Sequence, residues 1–245
     1  MPGTMSSAWS ARGELAQGLS GLLLVLFVWA HMFFESSILL GKEAMYWVTG
    51  LFEGKHIFGQ PYPWLVSFIA VIILLLVVMH AALAMNKFPA GFRQQRALYR
   101  HTGRMRHTDT SLWVVQAVSG FLLFFLIPVH LYTMIVEPAN IGPYASADRV
   151  WSGRYWVLYA LLLLTVHVHA AAGIYRLLMK WAPPRRGALI NRARARRIAL
   201  GAACFFILLG AASLIAYMKI GADHADRAGE RYHPATAQAP LALKE

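Results

Sequence analysis

The sequence predicts an all-α membrane protein, a bundle of five transmembrane helices, from three observations. First, 58% of the 245 residues are hydrophobic and only 14% are charged. Soluble domains carry about a quarter charged residues, so this chain needs an apolar solvent. Second, five apolar segments are long enough to cross about 30 Å of hydrocarbon at about 1.5 Å per helical residue. Third, none of these segments alternates apolar and polar residues as a barrel strand does.

The predicted elements follow one another within a single integral membrane domain, residues 1–245. The five spans are 18–40, 64–86, 112–136, 155–179 and 198–219. The first is too long for the apolar core of a signal peptide, and no small-residue cleavage site follows it, so we expect it to remain in the mature protein. Segment 41–63 contains several Gly and Pro residues and is expected to fold over one end of the bundle. Residues 221–245 are polar and rich in Ala and Pro, and we expect a weakly structured tail.

The positions of the basic residues predict the orientation. Of the 23 lysines and arginines, six lie in 87–110, eight lie in 176–197, and Arg12 lies on the same side. The positive-inside rule therefore places the N-terminus in the cytoplasm and the C-terminus outside. Nucleic-acid binding is another explanation for a net charge of +12. However, the cations lie in short loops at helix ends, with no nucleic-acid-binding motif around them.

Histidine is the main candidate residue type for binding a metal ion or a metal-containing cofactor. The single cysteine, Cys204, excludes a disulfide framework, a zinc ribbon and an iron–sulfur cluster held by this chain alone. An ionisable side chain at bilayer depth is costly unless it is paired or coordinated. For any one histidine, a hydrogen bond to a neighbouring helix explains the position as well as a metal bond does. Five of the ten histidines fall within the predicted spans: His31, His80, His130, His167 and His169.

Depth in the membrane arranges four of these histidines as two pairs. His31 and His130 lie roughly 20 to 27 Å from the cytoplasmic edge, and His80 and His169 roughly 6 to 9 Å. Bis-histidine ligation between helices suits a six-coordinate haem that transfers electrons, because no position is left open for oxygen. His167 and His169 are about 200° apart on a helix, so only one of them can bind a given iron. Four glycines fit either a nearby macrocycle or close helix packing: Gly18, Gly21, Gly120 and Gly173.

Linear motifs add a resemblance over residues 14–220. They are AHMFF with SSILLG, MHAALAMNKFP with FRQQ, MRHTDTSLWVVQAVSGF, VHLYTMIVEPANIGP and HAAAGIYRLLMKW. Together they resemble the dihaem cytochrome b subunit of quinol:fumarate reductases, the membrane anchor in the succinate dehydrogenase and fumarate reductase superfamily. The resemblance implies that His31 and His130 bind the outer haem b, and that His80 and His169 bind the inner one.

The resemblance also implies roles for polar residues near the membrane surfaces. Glu53, in WVTGLFEG, matches a glutamate beside the quinol site, where a carboxylate can accept a proton from quinol. By residue type alone, a solvated loop carboxylate is the simpler interpretation of Glu53. Five further residues match haem-propionate or haem-edge contacts of the family: Gln17, Trp113, Gln116, Arg149 and Lys180. For the two cations and the tryptophan among them, anchoring at the membrane interface is the alternative.

One position departs from the family pattern. Family members commonly carry a glutamate two residues before the last haem ligand, and this chain has His167 there, in TVHVH. The resemblance implies that this glutamate helps protons cross the membrane. In this chain, either the histidine relays protons in its place or the proton path is lost. Glu35, one helical turn after His31, has no match in the family, and proton transfer and simple solvation remain open for it.

The resemblance implies that this chain is a subunit that oxidises menaquinol and passes the electrons through two haems b. The electrons would then reach an iron–sulfur subunit and a FAD-containing flavoprotein that reduces fumarate. The resemblance further implies a dimer of heterotrimers in the bacterial inner membrane, with the C-terminus periplasmic and no dicarboxylate site on this chain. Succinate oxidation by the same anchor in reverse remains open. So does a cytochrome b subunit of hydrogenase or formate dehydrogenase, although the motifs fit it worse. A haem-free helical transporter is the alternative from another functional class.

Overall fold

The computed structural model describes residues 4–86, 88, 91–104, 108–181 and 191–234, and within these ranges it contains helices and no strand. The α-helices are α1 (Thr4–Glu35), α2 (Lys42–Phe52), α3 (Lys55–Phe58), α4 (Trp64–Met85), α5 (Phe92–Arg104), α6 (Thr108–Val136), α7 (Pro143–Trp151), α8 (Trp156–Trp181) and α9 (Arg192–Asp223). Four cations of the predicted basic segments and the end of the predicted tail lie outside the described residues: Lys87, Arg106, Arg185, Arg186 and 235–245.

Within the described ranges, five helices are long and apolar enough to span a membrane, which confirms the predicted all-α fold with five transmembrane segments. The candidate spans are Ala11–Leu40, Trp64–Met85, Asp109–Val136, Trp156–Trp181 and Arg192–Asp223. Their large apolar side chains are widely exposed; Phe125 and Leu208, for example, are each 71% exposed. Apolar surface on this scale is stable when lipid is the solvent, since a helix satisfies its own backbone hydrogen bonds.

Four shorter helices occupy segments where hydropathy predicts no span. Segment 41–63 contains α2 and α3, which meet at Glu53 and Gly54. Gly54 has φ +71°, and a Cβ there would lie 2.7 Å from a methyl carbon of Leu65. The turn therefore requires glycine on both conformational and steric grounds. Helices α5 and α7 are short and rich in polar residues. A search for apolar segments therefore does not detect them.

The chain forms two compact units, each with its own packing, and the boundaries between them fall within the five long helices. The first unit consists of Met1–Ala30, Val71–Leu131 and Leu162–Ile207. Its buried cluster pairs small residues of α9, including Ala195 and Ala199, with Ala171 and Tyr175 of α8. The Tyr175 hydroxyl donates to Asp109 at 2.6 Å, and Arg192 donates to the same carboxylate. One carboxylate thus links α6, α8 and α9.

The second unit consists of His31–Ala70, Tyr132–Leu161 and Leu208–Glu245. Its core residues are Ile38, Met45, Ala147, Val150 and Tyr217. Around this core, the hydroxyl oxygens of Ser213, on α9, and Ser36 lie 3.1 Å apart. The unit therefore combines apolar packing with polar contacts between α9 and the segment that follows α1.

The first part of the predicted tail makes side-chain contacts in the second unit. Asp148 of α7 accepts hydrogen bonds from His224 Nδ1 and from the Gly229 amide, each at 2.9 Å. The His224 ring stacks on Tyr144 with 4.0 Å between ring centroids. Tyr232 donates to Glu43 at 2.5 Å. Desolvation, together with the bond to this carboxylate, raises the pKa of Tyr232 to about 12. Residues 224–232 are thereby attached to α2 and α7.

Candidate functional site

His80 of α4 and His169 of α8 lie side by side in the first unit. Their ring centroids are 6.5 Å apart and their ring planes are nearly perpendicular, at 84°. Two imidazoles that bind one metal from opposite sides, each with its nitrogen about 2.0 Å away, have ring centres roughly 6 Å apart. The observed separation therefore fits a single metal ion held between these two side chains, in agreement with the donor set of a bis-histidine haem.

The hydrogen bonds around His80 define its tautomer. The Ser20 hydroxyl of α1 donates to the Gln17 carbonyl at 3.0 Å, and the same oxygen lies 3.1 Å from His80 Nδ1. A hydroxyl has one proton, and here the carbonyl uses it. The Ser20 oxygen is then placed to accept a hydrogen bond from Nδ1–H. In the neutral ring this tautomer has its lone pair on Nε2, the nitrogen that would ligate iron.

The same arrangement occurs at His169. The Ser119 hydroxyl of α6 lies 2.7 Å from the Val115 carbonyl and 3.1 Å from His169 Nδ1. His169 Nδ1 also lies 3.0 Å from the Gln116 carbonyl. Because a carbonyl can only accept, Nδ1 of His169 carries the proton. The carbonyl partner thus assigns this tautomer to His169, and the contacts of His80 favour the same tautomer, the one that a metal ligand requires.

Two of the predicted small residues provide the space for these rings. A Cβ added to Gly21 would lie 3.0 Å from His80 Cε1, and a Cβ added to Gly120 would lie 3.1 Å from His169 Cε1. A Cβ added to Gly18 would lie 3.0 Å from the Trp181 ring, and a Cβ added to Gly173 would lie 3.1 Å from the Gln116 side-chain amide nitrogen. These glycines thus allow close packing of side chains from neighbouring helices, and two of them do so directly beside the candidate ligands.

A short sequence repeat accounts for the similar surroundings of His80 and His169. Residues 17–21 read QGLSG and residues 116–120 read QAVSG, so the pattern Q-x-x-S-G occurs once on α1 and once on α6. In each copy the serine contacts a histidine and the following glycine lies against the same ring. Neither serine belongs to the site residues predicted from the sequence. The five-residue pattern gains meaning only when α4 and α8 are known to pack beside it.

His167 faces a different neighbour from His169. Its side chain is 1% exposed, and Nδ1 donates to the Leu163 carbonyl at 2.8 Å. The ring stacks on Phe206 of α9 at 5.7 Å, and Phe206 stacks in turn on Trp29 at 5.2 Å. Nε2 is buried and has no hydrogen-bond partner. The structure thus brings His169, rather than His167, next to His80.

The second predicted histidine pair is distributed over both units. His31 lies near the end of α1 and belongs to the second unit, whereas His130 of α6 belongs to the first. His130 follows Pro128, the proline inside α6, by two residues. A proline removes one helical hydrogen bond and loosens the turn before it. The pairing of His31 with His130 stays a prediction.

The predicted haem-edge residues of the first unit have defined partners. The Gln116 amide oxygen accepts a hydrogen bond from Arg176, a residue that sequence analysis used only for orientation. Lys180 forms an ion pair with Glu14 at 2.8 Å, and both side chains are about half exposed. The Trp113 ring packs against the Phe88 ring, with 5.7 Å between ring centroids. The backbone carbonyl of Gln17 accepts a hydrogen bond from the Ser20 hydroxyl.

Arg149, on α7, is the predicted haem-edge cation of the second unit. Its guanidinium donates to the Asn140 carbonyl and lies 4.0 Å from the Met134 sulfur. Its Nε is buried without a hydrogen-bond partner. A guanidinium with an unused N–H is suited to binding a carboxylate such as a haem propionate.

Glu53 lies at the C-terminal end of α2, where its carbonyl accepts a hydrogen bond from the Tyr62 amide at 2.7 Å. Its side chain is half-buried. Burial raises the pKa of Glu53 above 4.5, while the positive charges of Arg231 and Lys55 act in the opposite direction. The carboxylate is therefore more basic than a fully solvated one, which favours proton acceptance over simple solvation.

Glu35 also has a defined partner. It accepts a hydrogen bond from the Tyr217 hydroxyl at 3.2 Å, and Tyr217 is 4% exposed. The hydroxyl lies 3.2 Å from the Met45 sulfur as well. Simple solvation therefore does not describe Glu35, because one of its oxygens is bonded to a core residue of the second unit.

The chain is similar in sequence to known membrane proteins of one family. Residues 93–211 match the family described as the succinate dehydrogenase/fumarate reductase transmembrane subunit. The chain is 40% identical over 224 residues to the fumarate reductase cytochrome b subunit of Helicobacter pylori strain J99, covering 91% of this chain and 87% of the relative. It is also 40% identical over 230 residues to that of Wolinella succinogenes, covering 92% and 88%.

A more distant relative is the succinate dehydrogenase hydrophobic membrane anchor subunit of Archaeoglobus fulgidus, 34% identical over 68 residues, which are 27% of this chain and 58% of the relative. The protein is therefore a multi-pass membrane subunit of the succinate dehydrogenase and fumarate reductase class. Within that class, the chain belongs to the family of fumarate reductase cytochrome b subunits. The resemblance in the linear motifs is thereby confirmed. Membership of this family implies haem b and catalytic partner subunits.

Proposed function

We propose that the chain oxidises menaquinol near Glu53 and delivers the electrons to an iron–sulfur subunit and a FAD-containing flavoprotein that reduces fumarate to succinate. The observation that carries this proposal is the pair His80 and His169, with ring centroids 6.5 Å apart and both Nδ1 atoms bonded to acceptors. Two haems b, when bound, would carry electrons one at a time between the quinol site and the partner subunits. His31 and His130 would hold the second haem, as their depth predicts.

Glu53 is proposed as the proton acceptor for quinol. A quinol loses protons as it loses electrons, and a positioned base can accept one. Its raised pKa, its half-buried position and the nearby cations Lys55 and Arg231 support this role. Burial raises the pKa of this carboxyl, and the two cations partly offset that effect.

The polar residues at the haem edges are proposed to bind propionates. Arg149, with its buried unpartnered Nε, and Lys180, already paired with a carboxylate, are suited to this. Gln17, Trp113 and Gln116 would complete these contacts. Gln116 has a second function in the same place, since its carbonyl accepts from His169 Nδ1.

His167 is proposed as a proton relay at the position where relatives commonly have a glutamate. Its Nδ1 donates to a carbonyl and its buried Nε2 has no partner, so Nε2 offers a lone pair to a proton-carrying water. An imidazole accepts and releases protons near neutral pH. Its ring stacks on Phe206, whereas the ring of His169 contacts that of His80.

The proposed orientation follows from the basic segments. Exposed arginines on α5, including Arg93, Arg96 and Arg100, support docking of the catalytic subunits on a cytoplasmic face. We place the complex in the bacterial inner membrane, with a periplasmic C-terminus and a dimer of heterotrimers as its assembly. Turnover in the direction of succinate oxidation uses the same residues and is the second candidate.

A spectroscopic titration of the purified intact complex tests the proposal. We expect two b-type haems per chain in the reduced-minus-oxidised spectrum, reduction by menaquinol, and reoxidation when fumarate is added. Reduction by succinate with electrons passing to quinone would favour the reverse direction. A colourless protein, purified under conditions that retain native cofactors, would contradict haem binding and favour the haem-free transporter.

A further inference from the structure

We propose that Ser20 and Ser119 are positioning residues for His80 and His169, and that Ser20, as the acceptor beside His80, thereby tunes the reduction potential of the haem between the two histidines. This inference rests on the proposed haem function and extends it to two residues that do not touch the iron. It arises from the Q-x-x-S-G repeat, which places one such hydroxyl on α1 and one on α6.

Both hydroxyls have backbone carbonyl acceptors on their own helices, and Ser119 has a second one, the Gln116 carbonyl at 3.2 Å. Ser20 is 1% exposed and Ser119 is 5% exposed, so water has little access to either oxygen. Each hydroxyl is bonded to a carbonyl of its own helix, at 3.0 Å for Ser20 and 2.7 Å for Ser119. The proton of each hydroxyl therefore points at the backbone, and its lone pairs face the imidazole. Each serine is an acceptor for the histidine of a neighbouring helix.

This bond has two consequences for a ligand. It holds the proton on Nδ1 and leaves Nε2 for iron, and it limits rotation of the ring about its Cβ–Cγ bond. A hydrogen bond from Nδ1–H to an acceptor also makes the imidazole a stronger electron donor. A stronger donor stabilises ferric over ferrous iron, so the serine bond lowers the reduction potential. Loss of the acceptor should raise it.

The two positions differ in one respect that the experiment uses. His169 Nδ1 lies near the Gln116 carbonyl as well as the Ser119 hydroxyl, at 3.0 Å and 3.1 Å. When Ser119 is replaced, the carbonyl keeps the proton on Nδ1. The potential should then change little in Ser119→Ala, and the ring should keep its tautomer.

The experiment compares Ser20→Ala, Ser119→Ala and Ser20→Thr in the intact complex. Threonine keeps a hydroxyl at the same place, and Ser67→Ala is the matched control. Ser67 is a span serine of α4 that donates to the Ile135 carbonyl, and no contact to a histidine ring is involved in that bond. The readouts are haem content, the midpoint potential of each haem, and the electron paramagnetic resonance spectrum of the oxidised protein, which is sensitive to the angle between the ligand planes.

In Ser20→Ala we expect one haem to become easier to reduce, by up to about tenfold in the equilibrium constant. This equals about 59 mV for a one-electron couple. The resonance spectrum should change for the same haem, and Ser20→Thr should restore both values. Loss of that haem in Ser20→Ala with recovery in Ser20→Thr would support the same conclusion, because the hydroxyl would then be required for ligand geometry.

Unchanged potentials and spectra in Ser20→Ala would overturn the inference, as would a change that Ser20→Thr fails to restore or that Ser67→Ala reproduces. These outcomes are distinct from failure of the proposed function. If the unmodified complex contains no haem, the proposed function fails. If it contains two haems and Ser20→Ala leaves both unaltered, the proposed function stands and only the role of the serines is wrong.

Discussion

The Tyr217 hydroxyl donates a hydrogen bond to the Glu35 carboxylate at 3.2 Å, joining α9 to the C-terminal end of α1 within the second unit. Tyr217 is also a member of the buried core of that unit and lies 3.2 Å from the Met45 sulfur. This relationship gives Glu35 a structural role that its sequence position did not reveal. A carboxylate beside an apolar core needs such a donor, because an unbonded buried oxygen is costly.

Replacing this tyrosine should destabilise the protein. Tyr217→Phe keeps the ring but removes the donor, and we expect the free energy of unfolding in detergent to fall by about 1–2 kcal/mol. Tyr132→Phe is the control, since Tyr132 is 66% exposed. Its substitution should change stability by less than about 0.5 kcal/mol. Equal stability of Tyr217→Phe and the unmodified protein would show that the hydrogen bond contributes nothing.

The glycines beside the histidine rings predict a steric effect on haem binding. A Cβ at Gly21 or Gly120 would lie 3.0 or 3.1 Å from the ring of His80 or His169. A ring bonded to iron cannot move aside freely, so Gly21→Ala and Gly120→Ala should each lower the content of one haem at least by about half. Haem-to-protein ratios measure this. Gly201→Ala, where the added methyl group meets nothing within 4 Å, should retain both haems.

The opposite directions of His167 and His169 predict different phenotypes. His169→Ala should remove one haem, because this residue faces His80 at 6.5 Å. His167→Ala should retain both haems, since its ring faces Phe206. If His167 relays protons, its loss should slow quinol-driven turnover without altering the spectrum. Loss of a haem in His167→Ala would show that the two histidines have been assigned the wrong roles.

The raised pKa of Glu53 predicts how quinol oxidation depends on pH. If the ionised carboxylate accepts a proton, the rate should fall as the pH drops through the pKa of Glu53, and burial places that midpoint above 4.5. Glu53→Gln cannot ionise, so it should be slow at every pH and lack this inflection. Glu137→Gln, another carboxylate outside the predicted loop 41–63, is the control and should keep the profile. An unchanged profile in Glu53→Gln would remove Glu53 from the quinol reaction.

The two bonds accepted by Asp148 predict the behaviour of residues 224–231. Asp148→Ala leaves the buried Nδ1 of His224 and the Gly229 amide without this acceptor. The cost is about 1–2 kcal/mol, so local opening and trypsin cleavage after Arg227 and Arg231 should become roughly tenfold faster. Asp226→Ala, at an exposed aspartate in the same segment, should leave the cleavage rate unchanged.

Much of the fold could be predicted because it depends on local composition. Five apolar segments of sufficient length are visible in the sequence, and each corresponds to a helix. The positions of the helix ends could be predicted less well from the sequence. Helix α1 begins at Thr4 and α9 at Arg192, both before the predicted spans, because polar turns continue a helix beyond the region that hydropathy detects.

The candidate site was predictable only in part, for a physical reason. Depth along a helix follows from residue counting, and this placed His80 and His169 at similar heights. The partners of those rings depend on which faces of different helices meet, and one sequence does not encode that in any short pattern. Ser20, Ser119 and Arg176 therefore emerged only from the packed structure.

The apolar side chains that remain exposed on the long helices have a consequence for variation among related sequences. Fluid acyl chains adapt to any apolar outline, so positions such as Phe125 and Leu208 demand hydrophobicity but no fixed shape. Ala147 and Ala195 are fully buried, and there even one extra methylene must displace a neighbour. Substitutions should therefore accumulate on the lipid-facing surface and be rare at the alanines, and randomised libraries should aim at the former.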